Sequence, residues 1–462
     1  MAVTKSAIQN QGGPPEDVEL QKLPSVQTAD PNERAISMRH TTNATHGAQE
    51  ERTNTTDEHH PDKLIARMHF SALCLTLFLE GWDDGTTGPL LPSIQEYYQI
   101  GFTLVSMLFI SNCVGYVIGC GLNVWMSQKL GFGKTMVVSS MFQVIAYALD
   151  SPGLPFPVMV VAYAFSGFGA AIQDIQGNGF IGCLREHRTT KLSVANAFYG
   201  AGAFVAPLVS TKFTGTNKWS YFYLVSLGLA VLNTLVLALV FKGKPQEELL
   251  RNSGQATAEE QDQSRPASEA NVYRAVLRNK SVHFMALFTL IYIGTTATLG
   301  GWIVTFINDE RGGRNSGGYI SSGFYGGITV GRLALIWVSR KIGEQRVVFL
   351  YLFLAIGLQI TIWLVPSIIQ NAVAISLVGV LLGPMFPITL SHATRILPPW
   401  LITGSVGWIT GVGMTGSAAL PFLTGLLASK YGIRSLQPLV VSMMCAMVGF
   451  WALVPRAPRR ID

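Results

Sequence analysis

Charge is scarce in this chain: only 13% of its 462 residues are Asp, Glu, Lys or Arg, while 49% are hydrophobic. Soluble domains carry roughly 25% charged residues, so the composition excludes two to four ordinary soluble domains and reads as a polytopic membrane protein. Cysteine is sparse too. Cys74, Cys113, Cys120, Cys183 and Cys445 are scattered through apolar stretches with no CxxC or Cys/His spacing, which argues for buried thiols and against a disulfide framework or a metal centre. Residues 1–62 hold no apolar core of the kind a cleaved signal peptide needs. Polar, mixed in charge and poor in aromatics, they read as a disordered tail. His59 and His60 beside Asp57 and Glu58 belong to that solvated tail, and no metal is expected there.

Signatures of chemistry are equally thin. GFGKT, Gly131 to Thr135, ends like a phosphate-binding loop but has Gln128 where the first glycine belongs, and no strand precedes it. ATP-driven transport therefore has no support. No nucleophile with a base and an orienting acid stands out, so an enzyme is not expected, and neither is a cofactor.

What the chain does have is apolar length. About twelve segments are long enough to cross a hydrocarbon core: 67–91, 103–126, 135–151, 156–183, 193–213, 219–241, 281–307, 318–339, 346–366, 371–396, 401–428 and 434–454. With the tail placed in the cytosol, nineteen Lys and Arg fall on one set of connections and six on the other. By the positive-inside rule both termini are then cytosolic. The net charge of +6 is accounted for by topology and requires no nucleic-acid partner. Asn43 and Asn54 open glycosylation sequons that a cytosolic tail keeps unmodified.

The polar stretch 242–280 separates six spans from six, so the expected layout is tail 1–62, bundle 63–241, linker 242–280, bundle 281–455 and tail 456–462. The halves also repeat. VWMSQKLG, Val124 to Gly131, matches IWVSRKIG, Ile336 to Gly343, at an offset of 212; Gly115 and Gly119 meet Gly327 and Gly331 at the same offset. Gly81 and Gly88 meet Gly294 and Gly301 at 213, and Gly202 and Pro207 meet Gly416 and Pro421 at 214. Matches in order at a nearly constant offset argue for an internal repeat.

Two parallel six-helix halves resemble the plan of the major facilitator transporters, in which substrate binds near the midplane between the halves. The matched loops resemble a degraded form of that superfamily's loop signature, G-x-x-x-D-R-x-G-R-K, with Gln128 and Arg340 at the acidic position. The resemblance implies a gating or charge-pairing role for Lys129, Gly131, Lys341 and Gly343, with the acid-dependent relay missing. A closer likeness lies in EGWDDGTTGPLLPSIQEYY, QDIQGNGF, GGWIVTF, GPMFPITLSHATRILP and GSAALPFLTGLLASKYG. These are similar to the fungal subgroup named after bypass of stop codon proteins, and more distantly to fucose and hexose symporters, over about residues 67–455.

The polar residues inside the spans carry the functional reading. Glu80, Asp83 and Asp84 lie deep in the first span, where an ionisable group must face protein or water. Glu80 and Asp84 share a face; Asp83 is about 100° away. Either they serve as an interhelical partner and a group at a wet mouth, or Asp83 or Asp84 faces the cavity and binds solute, a proton, or each in turn. Asp174 and Asn178 are four apart on the fourth span, flanked by Gln173 and Gln176. They read either as a face for hydroxyl or carbonyl groups of a solute, or as a polar zipper between helices. The resemblance turns this face toward Asp83 and Asp84, since first and fourth helices line such cavities.

The second half offers Tyr292, Thr296 and Trp302 as cavity candidates. In the resembled subgroup a glutamate is usual at the Thr296 position and an Asn-Asp pair at Asp83-Asp84, so the acidic function has moved to the first half. Arg332, a cation deep in a span, needs an anion or carbonyl partner; it either neutralises a carboxylate or caps its helix. His283 and His392 are expected to be structural, and Trp82, Tyr199 and Trp408 belong either to the cavity or to the interfacial belt. The expectation is an all-α membrane protein of twelve transmembrane helices in two pseudo-symmetric bundles. It is expected to be a monomeric secondary transporter of a small organic solute in the plasma membrane, with protons as the coupling ion. The missing acid at Thr296 tips the direction slightly toward export of a small metabolite; uptake of a sugar-like polar solute by symport or facilitation is the alternative.

Overall fold

The computed structural model describes residues 63–184, 188–214, 218–252, 269–313 and 316–455, all within one unit, His60–Asp462. The tails 1–62 and 456–462 and the centre of the linker lie outside the described residues. Twelve long helices organise the rest. The first half holds α1 (Lys63–Tyr98), α2 (Met107–Leu130), α3 (Phe132–Asp150), α4 (Phe156–Cys183), α5 (Arg188–Ser210) and α6 (Phe222–Phe241). The second holds α7 (Lys280–Arg311), α8 (Gly317–Ala334), α9 (Glu344–Leu364), α10 (Ile368–Leu382), α11 (Pro399–Tyr431) and α12 (Leu436–Leu453). Among the described residues, eleven helices are long and apolar enough to span a membrane. The exception is α8, whose glycines, tyrosines and Arg332 dilute its apolar content; it continues past Leu335 as the short helix Ile336–Ile342.

Local chemistry sets several ends. Gly131 (φ 76°) and Gly343 (φ 92°) turn α2 into α3 and the short helix after α8 into α9, in the left-handed region that favours glycine. Asn279 caps α7 by accepting from the Ser281 amide at 3.0 Å. Gly383 and Pro384 interrupt the tenth span, which resumes as Met385–Ile396. Pro89 and Pro92 leave α1 continuous, so it runs well past the expected end at residue 91.

The repeat is reproduced in packing detail. A Cβ added to Gly115 would meet the Ala164 carbonyl oxygen at 1.9 Å, and one on Gly327 would meet that of Ser376 at 2.2 Å. Gly167 lies against Asn112 O and Gly379 against Phe324 O, at 2.0 and 2.2 Å by the same measure. Each pair is related by the offset of 212. Small residues let helices approach to backbone contact, and between apolar helices in lipid that dispersion contact is a main source of association.

Contacts joining the halves gather between mid-height and the end away from the linker. Gly88 of α1 abuts Gly300 of α7; Phe102 and Phe109 pack on Trp302; Gly318 of α8 meets Thr211 just after α5; Gly425 of α11 meets Ser106. Toward the linker, Gly179 on α4 and Gly407 and Gly411 on α11 have nothing within 4 Å of an added Cβ. The halves thus touch at one end, the closed end, and show no such glycine contact at the other, the parted end.

Candidate functional site

At mid-height α1 carries the acids. Asp83 turns into its own half, where Tyr147 of α3 donates to Oδ1 (3.0 Å) and Ser166 of α4 to Oδ2 (2.9 Å). Asp84 is exposed and turns toward the other half. The Tyr199 hydroxyl of α5 donates to its Oδ2, and Tyr325 of α8 donates to its backbone oxygen at 3.1 Å. Arg332, two turns of α8 beyond Tyr325, lies within electrostatic reach of Asp84 and 5.9 Å from the Tyr199 ring. Its Nε is buried without a hydrogen-bond partner. The sequence left two roles for Arg332, and this placement is that of a cation facing a carboxylate of the opposite half.

Asp174 of α4 accepts from Tyr116 of α2 (3.0 Å) and from Asn178 on its own helix (2.6 Å). All four atoms belong to partly exposed side chains, and the neighbouring Ile175 and Gly179 are exposed. Glu80 is 7% exposed, with Oε1 unpartnered, and Asp83, Asp84 and Asp174 all lie within its electrostatic reach. Four acids therefore share one region of the first half.

The flanking amides behave differently from the expected cavity face. Gln173 is fully buried: it donates to Gln143 (2.7 Å) and accepts from Asn233 (3.0 Å), which in turn accepts from Thr76 (3.0 Å). Gln176 donates to Asn123 at 2.9 Å. Both are rungs between helices, because their side chains leave α4 on the sides that pack against α3 and α2. Of the two readings of this stretch, the polar zipper describes Gln173 and Gln176, while Asp174 and Asn178 bond Tyr116 and each other on a partly exposed face.

The second half is drier than expected. Tyr292 and Trp302 are buried, and the Trp302 indole donates to Pro421 O at 3.0 Å while its ring packs on Phe102 and Phe109. It plugs the closed end and lines no open cavity. The Thr296 hydroxyl is spent on Tyr292 O and Ile293 O of its own helix. Lys129 and Lys341 stand over the exposed rings of Trp125 (4.9 Å) and Trp337 (3.8 Å), a symmetric pair of cation–π contacts, and among the described residues neither joins an ion pair. His392 shares a hydrogen bond with Pro455 O (2.9 Å) and His283 with Leu277 O (2.8 Å), as structural histidines do.

Sequence reasoning missed the hydroxyls that hold the acids: Tyr116, Tyr147, Ser166 and Tyr325. The available signal was a helical period, since Gln143, Tyr147 and Asp150 lie on one face of α3 and Tyr163, Ser166 and Gln173 on one face of α4. An apolar groove of about 280 Å³ between α8 and α10, lined by Tyr319, Ile320, Ile369 and Val373 among others, has no acid in its lining. It offers hydrocarbon contact and little else.

The Major Facilitator Superfamily model matches residues 73–400 of the chain. Bypass of stop codon protein 6 of Saccharomyces cerevisiae is 27% identical over 410 residues, which cover 83% of this chain and 82% of that protein. The glucose/mannose transporter GlcP of Bacillus subtilis is 23% identical over 379 residues, covering 80% and 90% respectively. Among solved structures, an inward-facing, unoccupied bacterial homologue of the human lysosomal transporter Spinster superposes with a TM-score of 0.73 at 13% identity, covering 85% of this chain and 97% of that one.

Proposed function

Because the chain belongs to the Major Facilitator Superfamily, and is a transporter and no enzyme, we propose that it moves a small polyhydroxylated solute by alternating access, driven by protons. The observation that carries this reading is the position of Asp84. One carboxylate is bonded to Tyr199 of its own half, while its backbone is bonded to Tyr325 and its charge faces Arg332 of the other. A proton taken by Asp84 cancels the charge that attracts Arg332, so the same event that loads the proton loosens a contact between the halves. A carboxylate at such a joint links protonation to conformation.

The solute site in this reading is the Asp174, Asn178 and Tyr116 face. It presents carboxylate, amide and phenol groups suited to hydroxyls, and the likeness to a glucose/mannose transporter supports a sugar-like solute. With Lys and Arg counted by the positive-inside rule the linker is cytosolic, and the parted end then faces inward across the plasma membrane. Export rested on the missing acid at Thr296. Since the acids are gathered in the first half and Thr296 is satisfied within α7, we propose uptake by symport. The test uses proteoliposomes of known orientation, an imposed proton gradient and labelled D-glucose and D-mannose. Accumulation on the proton-poor side is expected, and Asp84→Asn should abolish it while leaving exchange. Accumulation on the proton-rich side would identify antiport, and equilibration alone would leave a facilitator.

A further inference from the structure

Asp150, the last residue of α3, lies at the closed end of the first half and takes no part in the site above. It is 4% exposed, and its Oδ1 is buried with no hydrogen-bond partner. The titratable groups that act on it are Asp83 and Tyr98 of α1, Tyr163 of α4 and Tyr223 of α6, with Tyr147 one turn back on its own helix. None of these is a cation.

The surrounding hydroxyls form two layers one helical turn apart. The outer layer holds Asp150 with Tyr163, Tyr223 and Thr87: the two tyrosine hydroxyls are 3.1 Å apart, and Tyr163 is 3.5 Å from Thr87. The inner layer holds Tyr147, Ser166 and Asp83, joined at 3.0 and 2.9 Å. Asp150 and Tyr147 are three residues apart on α3, Tyr163 and Ser166 three apart on α4, Thr87 and Asp83 four apart on α1, so each of these three helices contributes one group to each layer, and α6 adds Tyr223 to the outer one.

The fold does not demand these groups. At the offset of 212 the second half has Ile362, Ile375 and Val378 where the first has Asp150, Tyr163 and Ser166, and all three are buried and well packed. Its polar contacts there are a Gln359 to Gln437 hydrogen bond and the Arg311 guanidinium, which donates to the backbone oxygens of Ile362 and Trp363. A copy of the same helix packing with aliphatics at those three positions makes Asp150 and the hydroxyls of Tyr163 and Ser166 an addition to the scaffold.

We infer that Asp150 is the outer station of a proton path that runs inside the first half, through Tyr163 and Tyr223, to Asp83. The inference rests on the proton-coupled reading. A proton from water bonds to a carboxylate oxygen of Asp150, which then releases it; each tyrosine oxygen accepts one proton as it releases its own, the last of them Tyr147, whose hydroxyl is bonded to Asp83 Oδ1, and Asp83 gains the proton. Every O–H bond formed is matched by one broken, and nothing is oxidised or reduced. Solute and proton would then reach the centre by different doors, the solute between the halves and the proton within one of them.

The experiment follows proton arrival without any solute. The full chain is sealed in proteoliposomes, the outer face is stepped to lower pH, and carboxyl C=O absorption is followed by time-resolved infrared spectroscopy. Asp83 is assigned as the band missing in Asp83→Asn. Loss of one relay hydrogen bond of about 1.4 kcal/mol slows transfer about tenfold, so Tyr163→Phe and Asp150→Asn should each delay the Asp83 band by that factor. Asp150→Ile, which copies the second half, should do the same. Arrival at the unaltered rate in Tyr163→Phe and in whichever Asp150 variant folds would overturn the relay while leaving proton coupling intact. No Asp83 protonation while Asp84 still takes up a proton would overturn the relay, and no protonation of either Asp83 or Asp84 in the unaltered protein would overturn the coupled reading itself.

Discussion

Gly88→Ala should drive the transporter out of the form that is closed at the end away from the linker, and the geometry sets the size of the effect. A Cβ at position 88 would sit 2.0 Å from Gly300 O, 3.1 Å from Gly300 C and 3.4 Å from Gly301 Cα. All three atoms belong to α7, across the boundary between the halves, and the nearest is a carbonyl oxygen that no rotamer change can move. Relief requires the helices to part at the closed end. Overpacking of this kind costs about 1–3 kcal/mol, and it is charged only to the state in which that end is closed. The ratio of this form to the one open at that end should therefore fall by roughly 5- to 150-fold.

A control is built into the fold. Gly115→Ala creates an equal clash, 1.9 Å from Ala164 O, but between α2 and α4 of one half, where both states carry it. It should lower stability and leave the ratio alone. Gly179→Ala, with nothing within 4 Å, should change neither. Spin labels at Lys129→Cys and Lys341→Cys, in a background with native cysteines replaced, report the spacing of the parted end by electron–electron resonance. A Gly88→Ala protein that folds and keeps the original distance distribution, or a Gly115→Ala protein that shifts it, would refute the reasoning.

Asp174→Asn and Asn178→Ala should reduce solute flux at normal protein level; unchanged flux in both variants would make this face packing alone. Gln173→Leu strands the Asn233 amide and Gln143 in a buried network, so a loss of about 1–3 kcal/mol in thermal stability is expected, with solute affinity kept in the surviving protein. A protease site in the linker at 253–268 should be cut only from the cytosol, and one at Gly312–Gly313 only from outside; the reverse pattern would turn the whole assignment over.

Much of the architecture was legible because the membrane leaves few options. A span must be long, apolar and internally hydrogen-bonded, so all twelve helices fall close to the expected segments. The repeat was legible because glycines at backbone contacts tolerate little drift: Gly115 and Gly327 fill equivalent places, one against α4 and the other against α10. The site was half legible. Acids in α1 and α4 announce themselves by their cost in lipid, but a tyrosine in a span reads as belt, packing or cavity alike. Hence Tyr147 and Tyr199 acquire meaning only when helices 64 and 115 residues distant are brought beside Asp83 and Asp84. Gln173 and Asp174 could not be told apart in sequence, since adjacent residues on a helix differ by about 100° in direction and only the neighbours decide which side is core.

Setting the acids in one half and Arg332 in the other has an electrical consequence. When the halves rock, charges of opposite sign move relative to one another across the membrane field, so the stroke itself displaces charge even before any solute crosses. One elementary charge carried through the full field is worth about 2.3 kcal/mol per 100 mV, and a quarter of that path about 0.6 kcal/mol. Resting voltage would therefore bias which way the empty carrier faces. A transient current on a solid-supported membrane, reduced in Arg332→Gln, would be its direct trace.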